Sequence, residues 1–262
     1  MSCNDPYVKT LHDFGYNVIR LPRADVRPLQ LLAKEGDGLS RIGELTTVLR
    51  AGAHVPLPKI VENTRVAAVS GGRTGDMSLG VGVSVLGSVI GAMGGSKLGL
   101  DVAYKDASSV AFEFPDVLED RVEIALLDQY LADADVSPFA AHVGQMLEAD
   151  QLFVTTAVLK STKIAVEAKR SKDTGLDVSV PEIQKVVGGN VKVGGQSQVT
   201  SKVTYEGTVP LVFGFQAARL YYEGGRYQRF ELLNDSATMV RGLPARSAPL
   251  LSEGAFVRLK ER

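Results

Sequence analysis

Residues 76 to 115 constrain the fold of this chain more than any other stretch, because two incompatible patterns stand there end to end. The first pattern, Leu79–Gly95, is apolar, uncharged and rich in glycine. The second, Lys97–Phe114, alternates between apolar and polar residues, with one polar interruption at Asp106–Ser109. A period of two sends successive side chains to opposite faces of a strand. Such a strand spans about 55 Å at about 3.3 Å per residue, which is unusually long but is the length that a pore-lining hairpin needs.

A similar arrangement occurs a second time further along the chain. Leu152–Lys169 is a long segment rich in β-branched residues, Val180–Val187 has helical spacing, and residues 191 to 205 alternate again. We therefore predict two modules of similar design, in which a short insert separates long strands. The apolar positions of the long strands form a predicted face: Leu98, Leu100, Val102, Tyr104, Val110, Phe112, Val154, Val158, Ile164, Val166, Val191, Val193, Val199 and Val203.

Composition excludes several classes of protein. The chain has 262 residues, a formal net charge of −1 and 45% hydrophobic residues, which suits one large domain or two small ones. It lacks a basic excess or a basic cluster with aromatic residues, so nucleic acid is not an expected partner. It has no run of about 20 strongly apolar residues that could cross a bilayer as a helix. The first residues do not resemble a secretory signal, and we expect the intact protein in the cytoplasm.

Cys3 is the single cysteine of the sequence. It cannot form an intramolecular disulfide, which agrees with a reducing compartment. It is either a terminal residue without a role or a thiol that accepts a lipid. One acyl chain anchors a protein only weakly, so it would assist membrane binding without driving it.

The motifs of catalysis and cofactor binding are missing. The glycines from Gly80 onward lack the third glycine of a dinucleotide fingerprint, and Lys97 is not followed by the Ser or Thr of a phosphate loop. The three histidines, His12, His54 and His142, are far apart and have no metal-ligand spacing. We therefore expect no enzymatic activity, no catalytic residue, no metal and no dissociable cofactor.

The composition changes near the end of the chain. Residues 234 to 249 are rich in small and polar residues with two prolines, which is typical of an exposed linker that proteases cut. The following tail contains Phe256, Val257 and Leu259, which a disordered terminus rarely carries. We expect this tail to pack against another part of the protein.

Two functions from different classes remain open on these patterns. Amphipathic strands occur in any antiparallel sheet with one solvated face, so the chain could be a soluble α+β binding module without membrane activity. A transmembrane barrel instead places apolar residues toward lipid and polar residues toward its lumen, and three long alternating segments fit that arrangement. Membrane activity released by proteolysis would distinguish the pore from the module. An enzyme acting on a small molecule is a third alternative.

Several segments together resemble bacterial gasdermins. They are Met1-Ser-Cys, His12-Asp-Phe-Gly-Tyr-Asn-Val-Ile-Arg-Leu-Pro with Arg27-Pro-Leu-Gln, and Gly80–Leu100 running into Asp101-Val-Ala-Tyr-Lys. The resemblance covers essentially the whole chain and implies an α+β fold, a twisted and mainly antiparallel central sheet with peripheral helices. It implies a pore-forming body over residues 1–235, a protease-sensitive linker over 236–249 and an autoinhibitory peptide over 250–262. Residues 64–114 and 152–206 would become the two membrane hairpins.

The resemblance also implies partners and modifications. A caspase-like or other protease, encoded nearby, would cut the linker, and the freed body would pass from a resting monomer to a homo-oligomeric pore among the lipids of the inner membrane. This event would kill the infected cell in anti-phage defence. Cys3 corresponds to the family's palmitoylated cysteine. Candidate cleavage residues are Asp235, Arg241, Leu243 and Arg246, and the expected autoinhibitory contacts are Leu250, Leu251, Phe256, Val257 and Leu259.

Overall fold

The computed structural model describes residues 6–35, 38–171, 174–232 and 259–260. The N-terminal part contains α1 (Pro6–Asp13), β1 (Asn17–Arg23), β2 (Gln30–Glu35), β3 (Gly38–Glu44), α2 (Leu45–Val48), β4 (Leu49–Arg50) and β5 (Ile60–Arg65). The middle contains β6 (Met77–Ser78), α3 (Leu79–Ala92), α4 (Leu100–Ala103), β7 (Ser109–Glu113), β8 (Leu118–Val122), α5 (Ile124–Asp133), β9 (Asp135–Val136) and α6 (Ala141–Glu148). The remainder contains β10 (Leu152–Ser171), β11 (Thr174–Gly175), β12 (Val178–Ser179), α7 (Val180–Val187), β13 (Lys192–Gly195), β14 (Val199–Thr200), β15 (Lys202–Glu223), β16 (Arg226–Leu232) and β17 (Leu259–Lys260).

Two long strands, β10 and β15, form the centre of a sheet that has 13 strands among the described residues. They pair antiparallel from Phe153 opposite Arg219 to Glu167 opposite Lys202. One part of the sheet has the order β1-β15-β10-β2-β3-β17, and β10 also pairs with β7 and β8. Helices cover its faces, so the predicted α+β fold with a mainly antiparallel central sheet and peripheral helices is confirmed.

The buried side chains form separate clusters on the faces of this sheet. Helices α2, α5 and α6 cover one cluster, to which they contribute Leu45, Leu127 and Leu147. Helices α3, α4 and α7 cover another, which lies against β7, the second half of β10 and the start of β15. This second cluster brings the two predicted modules together.

The predicted continuous strand over residues 97 to 114 is wrong for this structure, because α4 and a loop precede β7. Leu100 and Tyr104 are fully buried, whereas Leu98 and Val102 are 79% and 64% exposed. Apolar residues at positions i, i+2 and i+4 satisfy a strand, but the pair at i and i+4 also satisfies a helix. Packing of α4 against α7 decides between the two.

Strand β10 is long, as predicted, but its apolar residues do not share one face. Irregularities in the pairing lie between Thr155 and Ala157, between Leu159 and Lys160, and between Ser161 and Lys163. An extra residue in one strand reverses the alternation beyond it. The prediction of one apolar face is therefore wrong for Val154 and Val158, which lie in two different clusters, both separate from the cluster of Ile164 and Val166.

The second alternating segment, residues 191 to 205, is also divided. Strand β13 folds back on β15, with Lys192 opposite Glu206, so the single predicted strand is wrong here. Val199 lies in the short strand β14, which pairs with β12. The predicted helix Val180–Val187 is confirmed as α7.

Candidate functional site: a helix-covered edge of the sheet

The candidate site is the apolar face of the sheet where β7, β10 and β15 lie side by side. Val166 of β10 is opposite Phe112 of β7 and opposite Val203 of β15. Alternation puts every second residue of each strand on the same side. We call this side the helix-covered face and define it by Val110, Phe112, Ile164, Val166, Val203 and Tyr205, all buried.

Three helices bury this face. Helix α3 contributes Leu86, Val89 and Ile90, which lie on one side of the helix because they are three and four residues apart. Helix α7 contributes Ile183 and Val187, again four residues apart. Covering this face with apolar side chains keeps it out of water and stabilises this arrangement of helices and strands.

Two glycines allow α3 to approach closely. A Cβ atom added at Gly82 would lie 2.0 Å from Cγ2 of Val110, so α3 touches β7 at a point where no side chain fits. A Cβ atom added at Gly95 would lie 2.8 Å from side-chain atoms of Ile90 and Val191. These positions require glycine in this structure for steric reasons, separately from its low helix propensity.

A buried hydrogen bond joins the two modules. The hydroxyl oxygens of Tyr104, just after α4, and Tyr205, in β15, lie 2.6 Å apart, and both side chains are fully buried. Burial raises the pKa of both tyrosines well above the ordinary value of 10.0. Both phenols therefore stay protonated, and one hydroxyl donates to the other inside the apolar cluster.

The opposite side of the same strands carries charges of both signs, and we call it the charged face. It is defined by Glu113, Lys163, Glu167, Lys169, Lys202 and Glu206.

Ion pairs link the charged face across strands and to adjoining loops. Nζ of Lys202 lies 2.6 Å from a carboxylate oxygen of Glu113, and Nζ of Lys169 lies 3.0 Å from Asp76. Lys163 holds the pKa of Asp116 below its usual value by hydrogen bonding at 2.9 Å. The edge is thus apolar on one side and charged on the other.

The structure gathers most of the predicted apolar residues at this site. The buried cluster beneath α3, α4 and α7 includes Leu100, Tyr104, Val110, Phe112, Ile164, Val166, Val191 and Val203, and Val193 packs against it. Leu98, Val102 and Val199 are exposed. Sequence reasoning missed the helix residues that cover the face, although the spacing of Leu86, Val89 and Ile90 is a helical signal that could have identified them.

The C-terminal tail meets the sheet at a different edge. Strand β17 pairs in parallel with β3, with Leu259 opposite Leu39 and Lys260 opposite Ser40. The same short strand also lies near β1. The other predicted residues of the linker, the tail and the lipid site lie outside the described residues: Cys3, Asp235, Arg241, Leu243, Arg246, Leu250, Leu251, Phe256 and Val257.

Within ranges 6–35, 38–171, 174–232 and 259–260, no group of His, Cys, Asp or Glu side chains could hold a metal ion. No helix in that part of the chain has the length and hydropathy needed to cross a membrane.

Comparison with known proteins places the chain in a protein family. A model described as the Bacterial Gasdermin Family matches residues 19–229. The chain belongs to the bacterial gasdermin family. Relatives of this gasdermin include one from a Desulfuromonadales bacterium, 54% identical over 263 residues and covering 99% of each chain. Another, from Lysobacter enzymogenes, is 44% identical over 233 residues, with 88% of this chain and 86% of the relative covered.

A solved structure shares the fold of this gasdermin. The bacterial gasdermin from Bradyrhizobium tropiciagri matches with a TM-score of 0.60 at 19% identity, covering 99% of this chain and 98% of that one. The resemblance that the sequence indicated is confirmed. The family supports a pore-forming gasdermin that oligomerises and interacts with membrane lipids.

Proposed function

We propose that this gasdermin is an autoinhibited pore-forming protein that is activated by proteolysis. Cutting between residues 236 and 249 releases the tail, and the body over residues 1–235 oligomerises into a β-barrel pore in the inner membrane. The partners are a protease, membrane lipids and further copies of the chain. The result is cell death in anti-phage defence, with palmitate on Cys3 assisting membrane contact.

The observation that carries this proposal is the mixed burial of residues 98–104, the segment that contains α4. In the resting structure Leu100 and Tyr104 are buried while Leu98 and Val102 are exposed. In a strand all four side chains would lie on one face, and in a membrane pore that face contacts lipid. The segment therefore has the sequence of an amphipathic strand and the conformation of a short helix, which supports conversion between two states.

The arrangement of strands supports the same proposal. Residues 163 to 167 of β10 are already paired with β15, so the base of the second hairpin exists before activation. Strand β7, the return strand of the first hairpin, is already the antiparallel neighbour of β10. Conversion then extends an existing sheet, which avoids the cost of nucleating a new one.

The position of β17 supports autoinhibition by the tail. Its pairing with β3 occupies an edge of the sheet, and the covalent link through residues 233–258 keeps the local concentration of the tail high. Once that link is cut, the short strand can dissociate. Unpaired strand edges then become available for assembly.

Dye release from liposomes of anionic bacterial lipids tests this proposal. We would compare the intact chain with a chain cut at a protease site inserted within residues 236–249. Release by the cut form alone is the expected result. If neither form released dye, even with Cys3 acylated, the protein would instead be a soluble binding module.

A further inference from the structure

Strand β5 forms an open edge of the sheet. Of the described strands only β8 pairs with it, and β8 also pairs with β10. Val61, Glu62 and Asn63 in the middle of β5 are exposed. A strand edge of this kind presents backbone N–H and C=O groups to which another strand can add. An intact chain that stays a monomer therefore needs a means of keeping this edge free.

The side chains of β5 offer little protection against such pairing. Proteins commonly block an edge with charged side chains, above all lysine, with proline, or with a β-bulge. The strand Ile60–Arg65 contains no lysine or proline, and its single acidic residue, Glu62, is balanced by Arg65. Two copies of such a strand would not repel each other by net charge, so the protection has to come from the backbone.

The backbone of β5 carries a β-bulge at its centre. The pairing with β8 shifts between Val61 and Thr64, so that two residues of β5 stand opposite Asp120 alone. The second of them, Asn63, has a φ of 58°, a left-handed conformation that asparagine tolerates far better than β-branched residues do. An extra residue interrupts the ladder, bends the strand and reverses the alternation beyond it. The edge of 6 residues is thereby divided into two short pieces.

A buried carboxylate holds the bulge in place. Oδ1 of Asp120 accepts a hydrogen bond of 2.8 Å from the backbone N–H of Asn63, so the amide that the bulge removes from the ladder still has a partner. Oδ2 of the same carboxylate lies 2.5 Å from Nζ of Lys160 in β10, and the two side chains are 12% and 13% exposed. Charges so nearly buried require a partner of opposite sign. One carboxylate therefore joins β5, β8 and β10.

We propose that Asp120 and Lys160 maintain this bulge and thereby prevent β5 of one intact copy from pairing with β5 of a second. Two identical edges would meet about a twofold axis, each strand in the same relation to the other. Such a contact needs an unbroken series of outward N–H and C=O groups, which the bulge interrupts. Without the bulge, β5 becomes a regular edge that is open to a second copy. The intact chain is protected in this way whether or not it forms pores.

Two substitutions of Asn63 test the role of the bulge, because this residue is exposed. Valine disfavours a positive φ, whereas glycine adopts it readily. Asn63→Val should therefore straighten β5, and sedimentation of the intact chain should show a mass that rises with concentration towards that of a dimer. Asn63→Gly is the matched control and should remain a monomer, as should the unsubstituted chain.

Hydrogen exchange locates the contact between copies. Dimers of the Asn63→Val chain should protect backbone amides of residues 60–65 that exchange in the dilute monomer. A folded Asn63→Val chain that stays monomeric, or a dimer without added protection over this strand, would overturn the proposal. Self-association of the Asn63→Gly chain or of the unsubstituted chain to the same extent would overturn it as well.

Removing the supporting charges provides a second variant. Asp120→Val with Lys160→Met deletes both members of the ion pair, so no buried charge is left unpaired, and should also give dimers that are protected over residues 60–65. Arg23→Met with Asp25→Val removes an ion pair of 2.8 Å at the end of β1 and should leave the chain monomeric. If Asn63→Val does not fold, these double variants decide, and a folded Asp120→Val, Lys160→Met chain that stays monomeric overturns the proposal.

Discussion

At the residue scale, the hydroxyl pair of Tyr104 and Tyr205 connects the segments that the proposed pore must separate. Each hydroxyl is buried in an apolar cluster, where an unpaired polar group is costly. The pair therefore contributes little stability while both partners are present and penalises the loss of either one.

Removing one hydroxyl should destabilise the resting state more than removing both. Tyr104→Phe or Tyr205→Phe should each lower the free energy of unfolding by about 1–3 kcal/mol, because the remaining hydroxyl is left buried without its partner. The double variant should lie closer to the unsubstituted protein. Urea unfolding of the intact chain measures the effect.

Tyr221→Phe provides the control, because that hydroxyl bonds Glu231 at 2.9 Å near the surface and should change stability little. A double variant whose loss equals the sum of the single losses would show that the two hydroxyls do not act as a pair.

At the element scale, α3 is held by contacts that suit a helix and would be absent from a strand. Gly82 packs directly on Val110 in the resting state. If α3 moves away from β7 during pore formation, position 82 no longer meets Val110 and a small side chain has room there. One substitution can therefore oppose the resting state without opposing the pore.

Gly82→Ala should destabilise the resting protein and hasten pore formation after cutting. Overpacking of this kind costs about 1–3 kcal/mol, so the unfolding midpoint should fall and the lag before dye release should shorten. Gly80→Ala is the matched control, because nothing lies within 4 Å of its added Cβ. It should stabilise the helix by about 0.5–1 kcal/mol and lengthen the lag. Equal lags for the two variants would contradict a rate set by release of α3.

Local patterns predicted the elements that depend on nearest neighbours along the chain. The alternation through Ile164 and Val166 identified β10, and the spacing of Ile183 and Val187 identified α7. The segment from Leu98 to Tyr104 was mistaken for a strand in the resting state, because its spacing fits both conformations and distant packing against α7 decides. Val154 and Val158 lie in different clusters because the pairing of β10 with β15 is irregular. That irregularity depends on both strands, so the sequence of β10 alone does not predict it.

At the scale of the whole molecule, the tail strand and the helix-covered face lie on different parts of one sheet. Strand β17 pairs with β3, whereas α3 and α4 cover β7 and the end of β10. Strand β10 belongs to both regions, because it pairs with β2 at one end and with β7 at the other. Loss of the tail strand can therefore influence the distant edge through a continuous strand.

Disrupting the tail strand should activate the uncut protein. Proline cannot donate to a β-ladder, so Leu259→Pro combined with Lys260→Pro should make the intact chain leak dye from liposomes. Phe256→Asp should act in the same direction if that side chain covers apolar surface. Lys260→Ala keeps the backbone donor and should remain silent. An uncut double-proline variant that stays folded and silent would contradict inhibition by this strand.

The central claim, that α3 must leave β7 before a pore forms, is tested most directly by a disulfide between them. The Cβ built at Gly82 lies 3.5 Å from Cβ of Val110, within the range that a disulfide accepts. The cut Gly82→Cys, Val110→Cys protein should release no dye when oxidised and should release it once reduced, while each single variant with native Cys3 leaks in both conditions. Release by the oxidised, cut double variant at the rate of the reduced form would show that pores form with α3 still in place.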